Sequence, residues 1–200
     1  MMNEIVYPWE IDHESEAFYK LRSMVSMYDF PDTVWMAPDN IKMINQVADM
    51  VRFCSRTRNW VLCFCSSPSY MREMYICFTA TWVCSNDKRF CIADIDYLVS
   101  AFYGDEEKRD NLEHTDLLII PYVDRSNMSV VKIKGFVLSM LQRRKVKRLA
   151  TVYDIYTKKN ISSVDDCVAV SKDMLDTLGE MALELFVGNK AKYVYISLPE

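Results

Sequence analysis

From Asn59 onward, short apolar runs alternate with stretches of helical spacing, and this alternation constrains the fold more than any other feature of the chain. "NWVLCFC", "RFCIADI", "TDLLIIPYV", "RLATVYDIY" and "KYVYISLP" read as strands, the nearly continuous apolar ones as strands covered on both faces. Between them, "SYMREMYICFTATWVCS" sets Met71, Met74, Tyr75 and Phe78 at helical intervals. "DIDYLVSAFYG" reads as a short helix capped by Asp94 and closing near Gly104. "SVVKIKGFVLSMLQRRKVK" turns Val130, Ile133, Val137, Leu138 and Leu141 inward, and "SKDMLDTLGEMALELFVG" predicts an amphipathic helix from Ser171 to Gly188. "DEEKRDNLEH" reads as a charged surface connection. Strands and helices in this order predict an α/β three-layer sandwich with a five-stranded parallel sheet.

The first third has a different texture. "DHESEAFYKLRSMVSMY" offers Asp12 or Ser15 as a cap, then Phe18, Leu21, Val25 and Tyr28 at helical spacing. "PDNIKMINQVADMVRFCS" begins at Pro38 and Asp39 and sets Ile41, Ile44, Val47, Val51 and Cys54 along one face. Tyr7, Trp9 and Trp35 are anchoring aromatics in the connections. The expected organisation is a helical segment, residues 1–58, packed on an α/β domain, residues 59–200, as one compact unit.

Composition narrows the chemistry. Only 4 of the 200 residues are glycine, so backbone amides wrapped around a ligand are not expected. A net charge of −4 argues against a basic surface that coats duplex DNA. The 7 cysteines form no CxxC pair and the 2 histidines give no zinc spacing, so reduced core thiols and no metal are expected. The acidic start "MMNEIVYPWEIDHESE" lacks a signal-peptide pattern, and no apolar run reaches the roughly 20 residues of a membrane span. A cytoplasmic protein is expected.

The junction "FCSSPSYMRE" sits where many α/β proteins carry a phosphate cradle, yet it contains no glycine. A P-loop needs glycines so that N–H groups converge on phosphate, a lysine for the terminal phosphates and a hydroxyl for magnesium. Carboxylates on a second strand end complete the metal shell.

In the order of its elements the sequence resembles the AAA+ class, in particular DnaC/DnaI-type helicase loaders and IstB-type transposition ATPases. "NWVLCF" is similar to that family's first strand, and "RFCIADIDYLVSAF" to its second strand and following helix. "TDLLIIPYVD" is similar to its Walker B strand, and "RRKVKRLATVYDIY" to its arginine-rich helix end and sensor-1 strand. The resemblance runs from about Asn40 to the C-terminus. It implies a P-loop/AAA+-like fold whose first strand lies centrally, beside the sensor-1 strand.

Carried onto this sequence, the resemblance puts Ser66, Ser69 and Met71 at the three cradle glycines, Arg72 at the lysine and Glu73 at the magnesium-binding hydroxyl. Pro121 and Tyr122 fall at the Walker B carboxylates, with Asp124 too far along to replace them. The sensor-1 asparagine falls near Ile155, with Asp154 as its polar neighbour, and no arginine follows Arg148. Losing one such group costs roughly 10² to 10³ in rate. Together these departures imply a degenerate site, no cofactor and no ATP hydrolysis.

What remains for such a fold is contact. The expectation is a non-catalytic replication accessory protein of a phage or mobile element, which binds a replicative helicase or its loader and assists or inhibits it. The alternative is single-stranded DNA binding through Arg143, Arg144, Lys145, Lys147 and Arg148, with Lys134 nearby and Tyr153 and Tyr156 as stacking partners. A third pattern, Cys63 and Cys65 with His114, reads as core thiols and a loop histidine. Asp94 with Asp96 reads as a helix cap rather than a catalytic carboxylate pair.

Overall fold

The computed structural model describes residues 4–27, 30–56, 59–65, 68–121, 128–156, 163, 165, 166, 169 and 192–196. The chain divides into two units, Met1–Ser55 with Pro68–Lys88, and Arg56–Ser67 with Arg89–Glu200.

The first unit holds α1 (Glu16–Met27), α2 (Ile41–Cys54) and α3 (Pro68–Ser85), with 3-10 turns at Pro8–Glu10 and Asp32–Trp35. Ser15 caps α1, its Oγ accepting from the Phe18 N–H at 3.2 Å, while Asp12 accepts from Glu14 in the turn before. Asn40 caps α2 by accepting from the Met43 N–H at 3.2 Å. Both helices pack on α3, which buries Met74, Phe78 and Trp82. The N-terminal strap is tied to the end of α3, where Ser85 Oγ accepts from the Val6 N–H at 2.9 Å. The connecting aromatics are anchors, as read: Tyr7 stacks on Trp9 with centroids 4.9 Å apart, and Trp35 lies 5.0 Å from Phe18.

One face assignment needs correction. Ile41 is 72% exposed, and the inner face of α2 is Met43, Val47, Met50, Val51 and Cys54. Two residues of helix turn the chain by about 200°, so once Met43 faces inward Ile41 must face out.

The second unit holds β1 (Trp60–Cys65), β2 (Phe90–Ile92), α4 (Ile95–Phe102), α5 (Glu106–His114), β3 (Leu117–Ile120), α6 (Met128–Lys147), β4 (Ala150–Tyr156) and β5 (Lys192–Ile196). The strands lie in the order β2-β3-β4-β1-β5, and every pairing is parallel. β1 therefore runs inside the sheet next to β4. That is the arrangement the resemblance implies, and it differs from a flavodoxin-like order. One core joins Trp60, Leu118 and Ile120 of the strands to Leu98 of α4, Leu112 of α5 and Ile133, Val137 and Leu141 of α6. Trp60 starts β1 fully buried, and its indole N–H donates to the Leu149 carbonyl at 3.1 Å, so burial strands no donor.

The stretch read as a charged connection is instead helix α5. Asp105 caps it by accepting from the Lys108 N–H at 3.0 Å, and Leu112 is its one buried residue. Asp94 caps α4 in the same way, accepting from the Tyr97 N–H at 2.8 Å, and the helix gives way to Gly104 at φ +120°. This supports the capping reading of Asp94. The helix expected over residues 171–188 lies outside the described residues. Among the described residues no helix is long and apolar enough to cross a membrane.

Cys54, Cys63, Cys77 and Cys91 are buried thiols outside any disulfide, as core thiols should be. Burial pushes the Cys77 thiol up to about 11 and that of Cys84 to about 12. An acid whose folded pKa is raised favours the folded state while protonated. The contribution is full at neutral pH and is lost as pH rises through the ordinary thiol value toward 11. Native protein is expected to react with a thiol reagent at pH 8 far more slowly than protein in urea, as a thiol-release assay will show.

Candidate functional site

Because the strands are parallel, their carboxyl ends share one sheet edge. Register places Cys65 beside Tyr156 of β4 and beside Ile196 of β5, and Ile120 beside Tyr153. In open α/β sheets ligands bind at that edge. Pro121 follows β3 there, half-buried, and brings neither an N–H nor a carboxylate. Ser66, Tyr122 and Asp124 lie outside the described residues.

The rest of the expected cradle belongs to α3, in the first unit. Ser69 and Met71 lie in its opening turn, and Arg72 and Glu73 are exposed on it. The helix begins at Pro68, whose fixed φ suits a first helical position but whose nitrogen carries no hydrogen. An anion at this helix start would thus find one donor fewer than most helix N-termini present. Among the described residues no group of three or more His, Cys, Asp or Glu could hold a metal ion.

The basic end of α6 is more informative. Arg143, Lys145, Lys147 and Arg148 are exposed. Arg143 pairs with Glu113 of α5 at 2.9 Å, and Lys147 reaches the same carboxylate at 3.7 Å. Lys147 also donates to His114 Nε2 at 2.8 Å, and His114 Nδ1 lies 2.9 Å from the Asp110 carboxylate. Glu113 and Asp110, with His114 between the latter and Lys147, thus set a carboxylate edge along α5 that the basic residues alone do not reveal. The i, i+4 spacing of Asp110 and His114 is the signal that would have shown it. Such surface pairs are each worth about 0 to 1 kcal/mol, so a stronger anion can displace them. Lys145 and Arg148 have no ion-pair partner among the described residues.

Arg144 does not belong to that surface. Its side chain is 0% exposed, which corrects its assignment as a nucleic-acid contact. Nε donates to Thr151 Oγ1 at 3.1 Å, Nη1 to the Leu112 and Thr115 carbonyls at 2.9 Å each, and Nη2 to the Ala150 carbonyl at 2.6 Å. Burial pushes the guanidinium down to about 9, still well above neutrality, so it enters the core charged. The four acceptors replace its water and clamp α5, α6 and β4 together. Tyr153 also leaves the candidate set: it is 5% exposed and packs in the core of the second unit, so its ring offers no stacking face.

Arg148 ends the helix in the left-handed region, at φ +62°. Its N–H bonds the Lys145 carbonyl at 3.2 Å and the Leu149 N–H bonds the Arg144 carbonyl at 3.1 Å, the two bonds of a Schellman stop. Glycine usually takes this position, because a side chain there costs about 1–2 kcal/mol. Arg148→Gly is therefore expected to stabilise the chain by about 0.5–1 kcal/mol, seen as a higher urea midpoint.

No family model matches the sequence, and neither does any curated protein sequence. Solved structures do match the fold. Against a structure of the DnaC helicase loader the TM-score is 0.62 at 14% identity, over 82% of this chain and 94% of that one. Against a structure of DnaI it is 0.50 at 12% identity, over 97% and 89%. A structure of the replication initiator DnaA bound to AMPPCP and single-stranded DNA gives 0.58 at 11% identity. That match covers 82% of this chain but only 48% of the initiator, so the chain spans about half its length. At such identities the likeness is one of fold: a parallel α/β sheet with helices.

Proposed function

We propose that this chain is a helicase-loader-like accessory protein of DNA replication that works by protein–protein contact, without hydrolysing ATP. The observation that carries this reading is the place of β1 between β4 and β5, in a fold that covers 94% of the matched chain in a helicase-loader structure. The glycine-free junction after β1, the proline at the start of α3 and Pro121 at the end of β3 support a site that has lost its phosphate and metal chemistry. In this reading the protein acts in the cytoplasm of a host carrying a phage or mobile element.

The partner is the replicative helicase or its loader. A subunit that joins an AAA+ ring with no arginine beyond Arg148 offers its neighbour no finger from that region, so inhibition is as natural an outcome as assistance. The test is light scattering of the purified full chain mixed with the replicative helicase and the loader from the same genome. A stable complex at micromolar concentration with either is expected, and independent elution from both would refute the proposal.

The exposed cations at the end of α6 favour a second reading, binding of single-stranded DNA. Its test is a salt titration of oligonucleotide binding with Arg143→Glu and Lys145→Glu combined. Salt-dependent binding lost in that variant supports it, and salt-independent binding argues against it.

A further inference from the structure

The first unit contains a cavity of about 300 Å³ whose walls include Trp9, Met36, Met43 and Ile76, and whose charged lining residues, among the described ones, are Asp39 and Glu73. That volume sits at the lower end of small-molecule sites, which run from about 300 to 1,000 Å³. Both carboxylates are exposed at the rim, and neither has an ion-pair partner among the described residues. Cys77, also in the lining, adds no charge at neutral pH, since burial pushes its thiol up to about 11. Tyr7 stacks on Trp9 at an interplanar angle of 11° and steadies the indole in that wall. Arg72 and Lys42, the nearest cations in sequence, do not line the space.

Two carboxylates over an apolar, aromatic lining repel a phosphate or carboxylate ligand and attract a cation, and the indole adds a cation–π surface. We infer that this cavity binds a small organic cation, an apolar body bearing an amidinium, guanidinium or ammonium group. The body packs against Met43 and Ile76, and the charge lies toward Asp39 and Glu73. The inference rests on the cavity alone and stands whether or not the replication proposal does.

Matched probes of one shape test it. Benzamidinium, benzamide and benzoate are titrated into the full chain while the NMR signals of Trp9, Met43 and Ile76 are followed, with AMP as a fourth arm. Benzamidinium is expected to shift these signals saturably, binding roughly tenfold more tightly than either uncharged or anionic analogue. Combining Asp39→Asn with Glu73→Gln, both exposed, is expected to abolish that preference and leave the melting temperature unchanged. Equal binding of the three probes, no shift with any of them, or stronger shifts with AMP would overturn the inference.

Discussion

Arg144→Met is expected to destabilise the second unit by about 3–5 kcal/mol. Methionine fills much of the volume, but the Leu112, Thr115 and Ala150 carbonyls and Thr151 Oγ1 all lose their donor. Each is held where water enters only if the structure opens, so the loss falls at the cost of leaving buried acceptors unpaired rather than at the small net value of an exposed bond. For a chain of this length that corresponds to a drop in melting temperature of roughly 6–20 °C. Arg144→Lys should recover less than half of the loss, because one ammonium cannot span acceptors on two elements. Urea denaturation checks both substitutions. An Arg144→Met midpoint within experimental error of the parent would show that the clamp carries no stability.

Leu112→Ala is expected to cost about 2–5 kcal/mol, through the cavity left where α5 meets the core. Leu112 is fully buried and is the one buried residue α5 has, so nothing else along the helix compensates. Its carbonyl is also an Arg144 acceptor at 2.9 Å, so the two sites share a fate. Once α5 detaches, part of the Arg144 clamp is already lost. The double variant is therefore expected to be less destabilised than the sum of the single variants, by about 1 kcal/mol or more. Limited proteolysis gives an independent view, with cleavage between Glu106 and His114 appearing in Leu112→Ala before the sheet unfolds.

The parallel sheet was legible because its strands are nearly continuous apolar runs, which only a two-sided burial explains: Leu117, Leu118, Ile119 and Ile120 are all buried. The caps at Asn40 and Ser15 were legible only to within a residue or three, since several polar side chains compete at each helix start. α5 was invisible for a physical reason. A helix held by one leucine and an aspartate cap has no apolar stripe, and its charges read as loop.

Arg144 is the opposite case, because the signal was present and charge concealed it. Val137, Met140 and Leu141 precede it by seven, four and three residues, so helical spacing puts it on the inner face with them. Tyr153 follows the same logic within a buried strand. The absence of glycine between Cys65 and Glu73 is plain in sequence, whereas what Ser66 and Tyr122 do lies outside the described residues. The cavity beside Trp9 was not legible, because its walls come from four separate stretches of chain whose proximity no local pattern records.

Calorimetric titration of the full chain with Mg-ATP, with phosphate release followed in the same sample, bears most directly on the proposal that this chain serves contact alone. The account predicts no saturable heat and no phosphate above the protein-free blank. Saturable binding accompanied by magnesium-dependent phosphate release would contradict it.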